Sequence, residues 1–294
     1  MKAELTFDAK AALGEGPVWD AKSQSLYWVD ILEKRIYAGS RVVAQLERFV
    51  GCLAPRRGGG LLAALSDGAG SSFLVDLQVD SSQQSVLAAV SESANTRFND
   101  GKCDPAGRFL AGTMAMNETD PAGALYSFDG KRVTKLFEGV TISNGLTWSP
   151  DCKTFYYIDT PTRKVQAFDY DLAAGQIANP RPVIQVPISL GWPDGMTSDT
   201  DGNLWIAMWG GAQVAKWNPK TGKLLEQIPI PALQTSSCIF GGKDMNELYV
   251  TSARKGMSEE NLKKYPLSGG LFKVETKVTG MPAFEFSPTV PQVS

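Results

Sequence analysis

The hydrophobic and polar positions of the chain repeat one pattern six times. In each repeat a short strand leads into a polar turn, and a second strand richer in β-branched or aromatic residues follows. The repeats begin at Gly16, Cys52, Phe98, Ser143, Pro193 and Ser236. The first core residues of their second strands lie 35, 47, 46, 49 and 44 residues apart. A period of this length predicts the blades of a β-propeller.

Further strand-like segments complete the repeats. Third strands are predicted to begin at Lys34, Ser71, Gly123, Lys164, Gln213 and Gly269, and fourth strands at Val133 and Leu224. A strand from Ala3 is predicted to pair with the last blade and close the ring, which removes free sheet edges. Helix is predicted only over Ser258–Lys264, as a surface insertion. Residues 1–294 are therefore predicted to form a single all-β domain, a six-bladed β-propeller with four-stranded blades.

Composition narrows the class of protein and its partners. Hydrophobic residues make up 43% of the chain, yet no apolar run approaches the ~20 residues that span a bilayer. The first ten residues carry four charges and lack the apolar core of a secretory signal. A cytoplasmic protein without membrane contact is expected. Because the net charge is -2, no nucleic-acid partner is expected. The protein is expected to be a monomer.

The chain contains no histidine, and this excludes whole classes of chemistry. A Ser-His-Asp triad, an imidazole base and a histidine-ligated zinc are impossible without it. The four cysteines lie far apart, without a CxxC pair, and are expected to be buried thiols. Any reaction must therefore use carboxylates, amides, hydroxyls, Lys, Arg, thiols or a metal held by oxygen.

Four repeats place a side-chain oxygen at the same point, directly before a glycine of the innermost strand. The residues are Glu15, Asp100, Asn144 and Asp194, before Gly16, Gly101, Gly145 and Gly195. Because the first strands of a propeller line its channel, these oxygens are predicted to converge around a hard divalent cation. The alternative is that Asx-Gly is ordinary turn chemistry. Glu15 does not fit that alternative, because Glu is not a favoured turn residue.

Other polar and aromatic residues flank these positions. Arg97 and Asn99 are candidates for holding a polar ligand, although an arginine that caps loop carbonyls is the alternative interpretation. The segment from Ala253, with its mixed charges, is interpreted as a solvated face. Tryptophans near the channel offer faces for a sugar ring, but most are expected in the core; they are Trp19, Trp148, Trp192 and Trp209.

Five motifs in order resemble the senescence marker protein/regucalcin and gluconolactonase family. They read LGEGPVW, RFNDGKCDPAGRFLAGTM, SNGLTWSPDCKTFYYIDT, PDGMTSDTDGNLWIAMWGG and CIFGGKDMNELYVTSARKG, between Leu13 and Val274. The resemblance implies a six-bladed propeller that hydrolyses aldonolactones with one divalent cation. Ca²⁺ is the expected cation, and Zn²⁺, Mn²⁺, Mg²⁺ or Fe²⁺ are alternatives.

The resemblance also assigns roles to individual residues. It implies that Glu15, Asn144 and Asp194 are the metal ligands and that Arg97 and Asn99 hold the substrate. Asp194 matches the acid/base residue of the family. A further substrate contact, a Glu in regucalcin, falls on Asn117 here, and the neighbouring Glu118 is a possible substitute.

The expected reaction is hydrolysis of a small-molecule sugar lactone to an aldonic acid, in which the cation polarises the lactone carbonyl. The proton is transferred either by Asp194 or by Asp100, because an aspartate that ligates a cation is a weak base. Two alternative functions stay open. One is a calcium-binding regulatory protein of the regucalcin type. The other is a promiscuous phosphotriester hydrolase that uses the same metal site.

Overall fold

The computed structural model describes residues 1–79, 81 and 83–288, and nearly all of its regular structure is β-strand. After an N-terminal strand, β1 (Ala3–Phe7), the chain forms four separate antiparallel sheets of four strands. The first two contain β2 (Gly14–Asp20), β3 (Ser25–Asp30), β4 (Arg35–Ala38) and β5 (Arg41–Gln45), then β6 (Phe49–Pro55), β7 (Leu61–Ser66), β8 (Ser71–Gln78) and β9 (Gln83–Ser91). The next two contain β10 (Thr96–Cys103), β11 (Phe109–Ala115), β12 (Gly123–Phe128) and β13 (Val133–Val140), then β14 (Ser143–Trp148), β15 (Thr154–Asp159), β16 (Lys164–Asp171) and β17 (Gln176–Gln185).

The last part of the chain forms a larger sheet with two halves. One half contains β18 (Trp192–Ser198), β19 (Leu204–Trp209), β20 (Gln213–Asn218) and β21 (Lys223–Pro229). The other contains β22 (Gln234–Gly241), β23 (Glu247–Ala253) and β24 (Leu271–Glu275), with β1 paired antiparallel to β24. The pairing between the halves that the structure records joins Trp209 to Gln234. Each half therefore repeats the four-strand plan of the other sheets.

The first strands of these units pack against one another in sequence order. β2 contacts β6, β6 contacts β10, and the contacts continue through β14 and β18 to β22, which in turn contacts β2. Apolar side chains fill the space between neighbouring sheets; one cluster includes Val29, Ile36, Leu53 and Leu65, all at most 2% exposed. Burial of apolar surface between sheets is the main favourable term for such an arrangement. The packing order brings residues from distant parts of the sequence together around the inner strands.

Four of the six inner strands change register at the residue pairs that the sequence singles out. The shifts fall between Glu15 and Val18, Phe98 and Gly101, Ser143 and Leu146, and Pro193 and Met196. These pairs therefore lie at β-bulges inside strands, and the interpretation as ordinary turns is wrong. A bulge turns side chains away from the regular alternation and is often found beside a functional site.

Short helices and the C-terminal segment complete the fold. The α-helix α1 (Glu259–Lys264) confirms the helix predicted over Ser258–Lys264. Ser258 is its N-cap, and the hydroxyl accepts a hydrogen bond from the Asn261 amide. Two 3-10 turns lie at Thr160–Thr162 and Ile188–Leu190. No helix in the described part of the chain has the length and apolar character needed to cross a membrane.

The C-terminal segment runs across one end of the packed inner strands. The Met281 amide donates to the Ser198 carbonyl at 2.9 Å, and the Phe286 amide donates to the Pro55 carbonyl at 2.7 Å. Pro282, Ala283 and Phe284 cover a small cavity over β2, β6, β10, β14 and β18. This crossing segment had no counterpart in the sequence-based prediction.

Candidate metal centre and substrate cavity

One cavity of about 500 Å³ collects most of the predicted site residues. It is lined by residues from β2, β10, β14 and β18, together with the connections that follow β11, β15 and β23. The predicted residues in its wall are Glu15, Arg97, Asn99, Asn117, Asn144 and Asp194. The three residues predicted as metal ligands thus share one cavity, although the chain separates the first from the last by 179 positions.

Glu15 and Asp194 are two buried carboxyl groups whose charges repel each other. Each is 5% exposed. Burial, and then the negative charge of Asp100, raise the pKa of Glu15 to about 8. Burial and the charge of Glu15 raise the pKa of Asp194 well above its usual range. A bound divalent cation would offset both the desolvation and the repulsion, and this favours a cation at these carboxyls.

Asn144 is oriented by a chain of hydrogen bonds. Its Nδ2 donates to the Thr160 hydroxyl at 2.8 Å, and that hydroxyl donates to the Pro193 carbonyl at 2.8 Å. Because the hydroxyl proton is used on Pro193, the Thr160 oxygen must act as acceptor toward Asn144. The Asn144 Oδ1 atom accepts from Asn99 Nδ2 at 3.0 Å and keeps a second lone pair. The amide therefore presents an oxygen, the atom type that hard cations prefer.

Arg97 and Asn99 form one buried unit on β10. Arg97 Nη1 donates to the Phe98 carbonyl at 2.9 Å and to Asn99 Oδ1 at 2.6 Å. Asn99 Nδ2 also donates to the Ser143 carbonyl at 2.7 Å. Both amide hydrogens of Asn99 are thus used within the protein, and its contacts hold Arg97 and Asn144 in place; its role in holding the substrate stays a prediction. The carbonyl that Arg97 caps belongs to Phe98, which lies within strand β10 and not in a loop.

Asp100 lies apart from the cavity wall. It is 4% exposed, and its Oδ1 accepts from the Gly101 amide at 2.7 Å. Its Oδ2 atom is buried and has no hydrogen-bond partner among the residues that the structure describes. Burial raises the pKa of Asp100, while the charge of Lys102 acts in the opposite direction. The lining of the cavity includes Asp194 and not Asp100, which places Asp194 nearer to a bound substrate.

Asn117 lies at the rim of the cavity with its amide already engaged. Its Nδ2 donates to Asp120 Oδ2 at 2.7 Å, and its Oδ1 accepts from the Thr119 amide at 3.1 Å. The predicted substrate contact of Asn117 would compete with this turn. Next to it, Glu118 forms an ion pair with Lys255, which also lines the cavity. The interpretation of the segment from Ala253 as only a solvated face is therefore wrong for Lys255.

The four tryptophans divide between core and cavity. Trp19 and Trp148 are 7% and 3% exposed and belong to the core. Trp192 is 44% exposed and lines the cavity together with Trp209. The Arg163 guanidinium lies 4.3 Å from the centre of the Trp192 ring and fixes its orientation. One wall of the cavity thus carries aromatic surface of the kind that stacks on a sugar.

The donor set of the cavity fits a single hard cation. Among residues 1–79, 81 and 83–288, no three His, Cys, Asp or Glu side chains come together as a metal-ligating group. The predicted set is two carboxylates and one amide oxygen, so it does not require a third such residue. Oxygen donors without nitrogen or sulfur suit Ca²⁺, Mg²⁺ or Mn²⁺. The buried, mutually repelling carboxyls of Glu15 and Asp194 supply the electrostatic reason for a cation to bind.

The protonation of these carboxyls predicts how the cation-free protein responds to pH. Since the pKa of Glu15 rises from 4.5 to about 8 on folding, the folded state holds a proton that the unfolded state releases between these values. Its contribution to stability is present below about pH 4.5 and is lost as the pH rises toward 8. The free energy of unfolding should fall by up to about 1.4 kcal/mol per pH unit for each such proton. Urea unfolding in chelator at pH 5, 6.5 and 8 measures this slope.

Two comparisons make that slope specific to the site. Glu15→Gln should reduce the slope, because the amide does not titrate and only the other buried carboxyls still contribute. Cation affinity of the wild-type protein should increase with pH over the same window, since binding displaces the protons. A stability in chelator that stays constant or rises from pH 5 to pH 8 would contradict the proposed protonation.

Thr160 is predicted to control cation affinity through Asn144. Thr160→Val keeps the shape of the side chain but removes the acceptor for Asn144 Nδ2, so the amide loses its fixed orientation. Loss of such a supporting contact typically weakens metal binding 10- to 100-fold. Titration with Ca²⁺ measures the change, and Thr160→Ser, which keeps the hydroxyl, is the matched control. Equal affinity in the Val variant and the wild type would show that Thr160 does not orient the amide.

Comparison with known proteins identifies similar chains along nearly the whole length. The sequence profile of the SMP-30/Gluconolactonase/LRE-like region matches residues 13–254. Regucalcin from Danio rerio is 42% identical over 98% of this chain and 99% of its own. The structure of a calcium-binding protein, regucalcin, from Agrobacterium tumefaciens superimposes with a TM-score of 0.89 at 28% identity, covering 96% of each chain. A luciferin-regenerating enzyme gives a TM-score of 0.84 at 30% identity, over 95% of this chain and 96% of the other.

Proposed function

The chain belongs to the SMP-30/gluconolactonase/LRE-like family, and on that premise we propose that it hydrolyses aldonolactones to aldonic acids with the help of one divalent cation. The observation that carries this proposal is the convergence of Glu15, Asn144 and Asp194 on one cavity that also contains Arg97. The family gives the reaction class, and the cavity gives the residues for it.

We extend the proposal to the architecture. The six four-strand units, packed in order through their inner strands, are the blades of a six-bladed propeller. The pairing of β1 with β24 would close the ring. In such a ring the cavity lies at one end of the central channel, and the C-terminal segment covers the other end.

In the proposed site, Glu15, Asn144 and Asp194 hold the cation, with Ca²⁺ as the first candidate. When bound, a divalent cation supplies positive charge that polarises a lactone carbonyl and makes water more acidic. Arg97 binds hydroxyl oxygens of the sugar through nitrogen atoms that Asn99 and Phe98 leave free. Trp192 and Trp209 cover the apolar face of the ring.

Asp194 is the proposed proton-transfer residue because it lines the cavity. It takes a proton from the attacking water as the new C–O bond forms at the carbonyl carbon. The ring C–O bond then breaks, and the proton returns to the departing ring oxygen, which becomes a hydroxyl. Fixed positions for the carboxylate and for Arg97 reduce the entropic cost of bringing these groups together.

A second candidate function is calcium binding as the protein's main task. Its support is the similarity to the calcium-binding regucalcin from Agrobacterium tumefaciens and the oxygen-only donor set. The two functions differ in the affinity that they require. A dissociation constant for Ca²⁺ in the range of cytosolic sensors, about 10⁻⁷–10⁻⁵ M, favours binding as the function, and a millimolar value favours catalysis. The cytoplasmic location and the monomeric state are further predictions.

The proposed function predicts hydrolysis that depends on added metal. A panel of gluconolactone, gulonolactone, xylonolactone and arabinolactone is assayed in chelator and after each divalent cation is restored. We expect hydrolysis of at least one lactone, loss of it in chelator, and recovery with Ca²⁺ or another hard cation. Full activity in chelator, with elemental analysis showing no retained ion, would remove the cation from the mechanism. No hydrolysis of any lactone with any cation would refute the lactonase proposal.

A further inference from the structure

An ion pair lies at the rim of the cavity, and the proposed function does not use it. Lys255, in the connection after β23, forms an ion pair with Glu118, in the connection after β11. Their side chains are 32% and 40% exposed, so the pair lies at the opening of the cavity that both residues line. The two residues are 137 positions apart in the sequence. The fold therefore places an ammonium group where a substrate must pass or bind.

Lys255 shares the cavity with a second cation. Burial and the positive charge of Arg97 lower the pKa of Lys255 to about 8. Two cations at one cavity repel each other, and an anionic group between or beside them relieves that repulsion. An ammonium group has three N–H donors, and the contact with Glu118 leaves others available.

The charges in the cavity wall leave an excess of positive charge once the carboxyls hold a cation. Glu15 and Asp194 are then neutralised by the divalent ion, and Glu118 offsets one of the two cations Arg97 and Lys255. One positive charge is left without a partner in the wall. Meanwhile the neighbouring amide of Asn117 is engaged in its own turn and is poorly placed to bind a neutral hydroxyl.

We propose, resting on the lactonase function proposed above, that Lys255 and Arg97 form an anion-binding subsite and that the substrate is a lactone with an anionic group. The anionic group is a carboxylate or a phosphate at the end of the sugar remote from the reacting carbonyl. Hydrogen bonds from a charged donor to such oxygens are stronger than those between neutral groups. The Lys ammonium binds carboxylate and phosphate oxygens as a point charge. Neutral aldonolactones then bind without this contact and are the poorer substrates.

Equilibrium binding of acids tests the subsite without relying on turnover. Gluconate, glucarate and 6-phosphogluconate are titrated into Ca²⁺-loaded protein by calorimetry at constant ionic strength. We expect glucarate or 6-phosphogluconate to bind at least about tenfold more tightly than gluconate, the size expected of one hydrogen bond to a charged group. If only glucarate binds more tightly, the anionic group of the substrate is a carboxylate. If only 6-phosphogluconate binds more tightly, that group is a phosphate. Equal affinity for all three acids would overturn the proposal.

Variants of Lys255 decide whether this residue is responsible. Lys255→Met should weaken the binding of glucarate or 6-phosphogluconate more than that of gluconate and so remove the preference, whereas Lys255→Arg should retain the preference. Lys263→Met, at an exposed lysine of α1, is the matched control and should behave like the wild type. Thermal unfolding in parallel verifies that each variant is folded. A preference for glucarate or 6-phosphogluconate that survives Lys255→Met would refute the assignment.

Hydrolysis of the corresponding lactones separates this inference from the proposed function. Tighter binding of glucarate or 6-phosphogluconate with no hydrolysis of any lactone refutes the lactonase function and supports the subsite. Hydrolysis of neutral lactones with no dianion preference supports the function and refutes the subsite. If the lactonase function and the subsite are both correct, kcat/KM for the anionic lactone should exceed kcat/KM for the neutral lactone. Lys255→Met should then lower kcat/KM mainly for the anionic lactone.

Discussion

Replacing Asp194 with Asn is expected to lower lactone hydrolysis at least about a thousandfold, the largest catalytic effect of any single substitution at this site. The change removes one of the two buried carboxylates that attract the cation, and it removes the proposed proton-transfer group. Loss of several kcal/mol of transition-state stabilisation corresponds to this factor. Steady-state kinetics with a range of Ca²⁺ concentrations measures the loss, and calorimetry measures the weakened cation binding.

Asp100→Asn separates the two candidate proton-transfer residues. Asp100 is buried beside the site but outside the cavity wall. We therefore expect its Asn variant to retain cation binding and most of its turnover. A variant that binds the cation normally but has lost turnover would assign proton transfer to Asp100 and contradict the role given to Asp194. Asp201→Asn, at an exposed turn, is the control and should match the wild type.

The inner strands could be predicted because the same local pattern of apolar residues, glycine and a preceding polar residue recurs along the sequence. Strong alternation of apolar runs and turns marked β2, β10, β14 and β18. Three of the four residues that precede the glycines, Glu15, Asn144 and Asp194, line the cavity, and Asp100 does not. The reason for the glycines was not visible in the sequence. A side chain at Gly145 would collide with the backbone of the neighbouring inner strand, so the glycine serves close packing as well as the bulge.

Outer strands were harder to predict than inner ones. The fourth strands β5, β9 and β17 were not assigned, because their side chains are mostly exposed and carry little apolar pattern. β17 also contains Pro180 and Pro182, which normally argue against a strand and are tolerated at a sheet edge. Pairing with an already formed neighbour, and not local sequence, determines these strands.

Contacts between segments that are distant along the chain could not be predicted from a single sequence. The sequence around Lys255 contains both charges, as a solvated face does, and its partner Glu118 is far away along the chain. The orientation of Asn144 likewise depends on Thr160 and Pro193, to which the sequence analysis gave no role although both lie in the quoted motifs. The ligand types could be predicted, but the residues that orient them emerge only from the packing of the inner strands.

Gly145→Ala is expected to destabilise the protein by about 2–3 kcal/mol, because an added Cβ overpacks a site with no room. The new atom would lie 2.6 Å from the Asp194 carbonyl oxygen and 2.8 Å from the Met196 amide nitrogen. Backbone atoms cannot rotate away as a side chain does, so β14 and β18 must separate. The same movement displaces Asn144 from Asp194, and cation affinity should fall together with stability.

Urea unfolding followed by tryptophan fluorescence measures the loss in stability, and Ca²⁺ titration of the folded variant measures the loss in affinity. Gly58→Ala is the matched control, because a Cβ there meets no atom within 4 Å and its backbone lies outside the left-handed region. That variant should stay within about 0.5 kcal/mol of the wild type. Since Gly145 also has no positive φ, a difference between the two variants reports the close approach of the inner strands and not backbone strain. Equal stability of both variants would mean that β14 and β18 do not pack as tightly as the cavity requires.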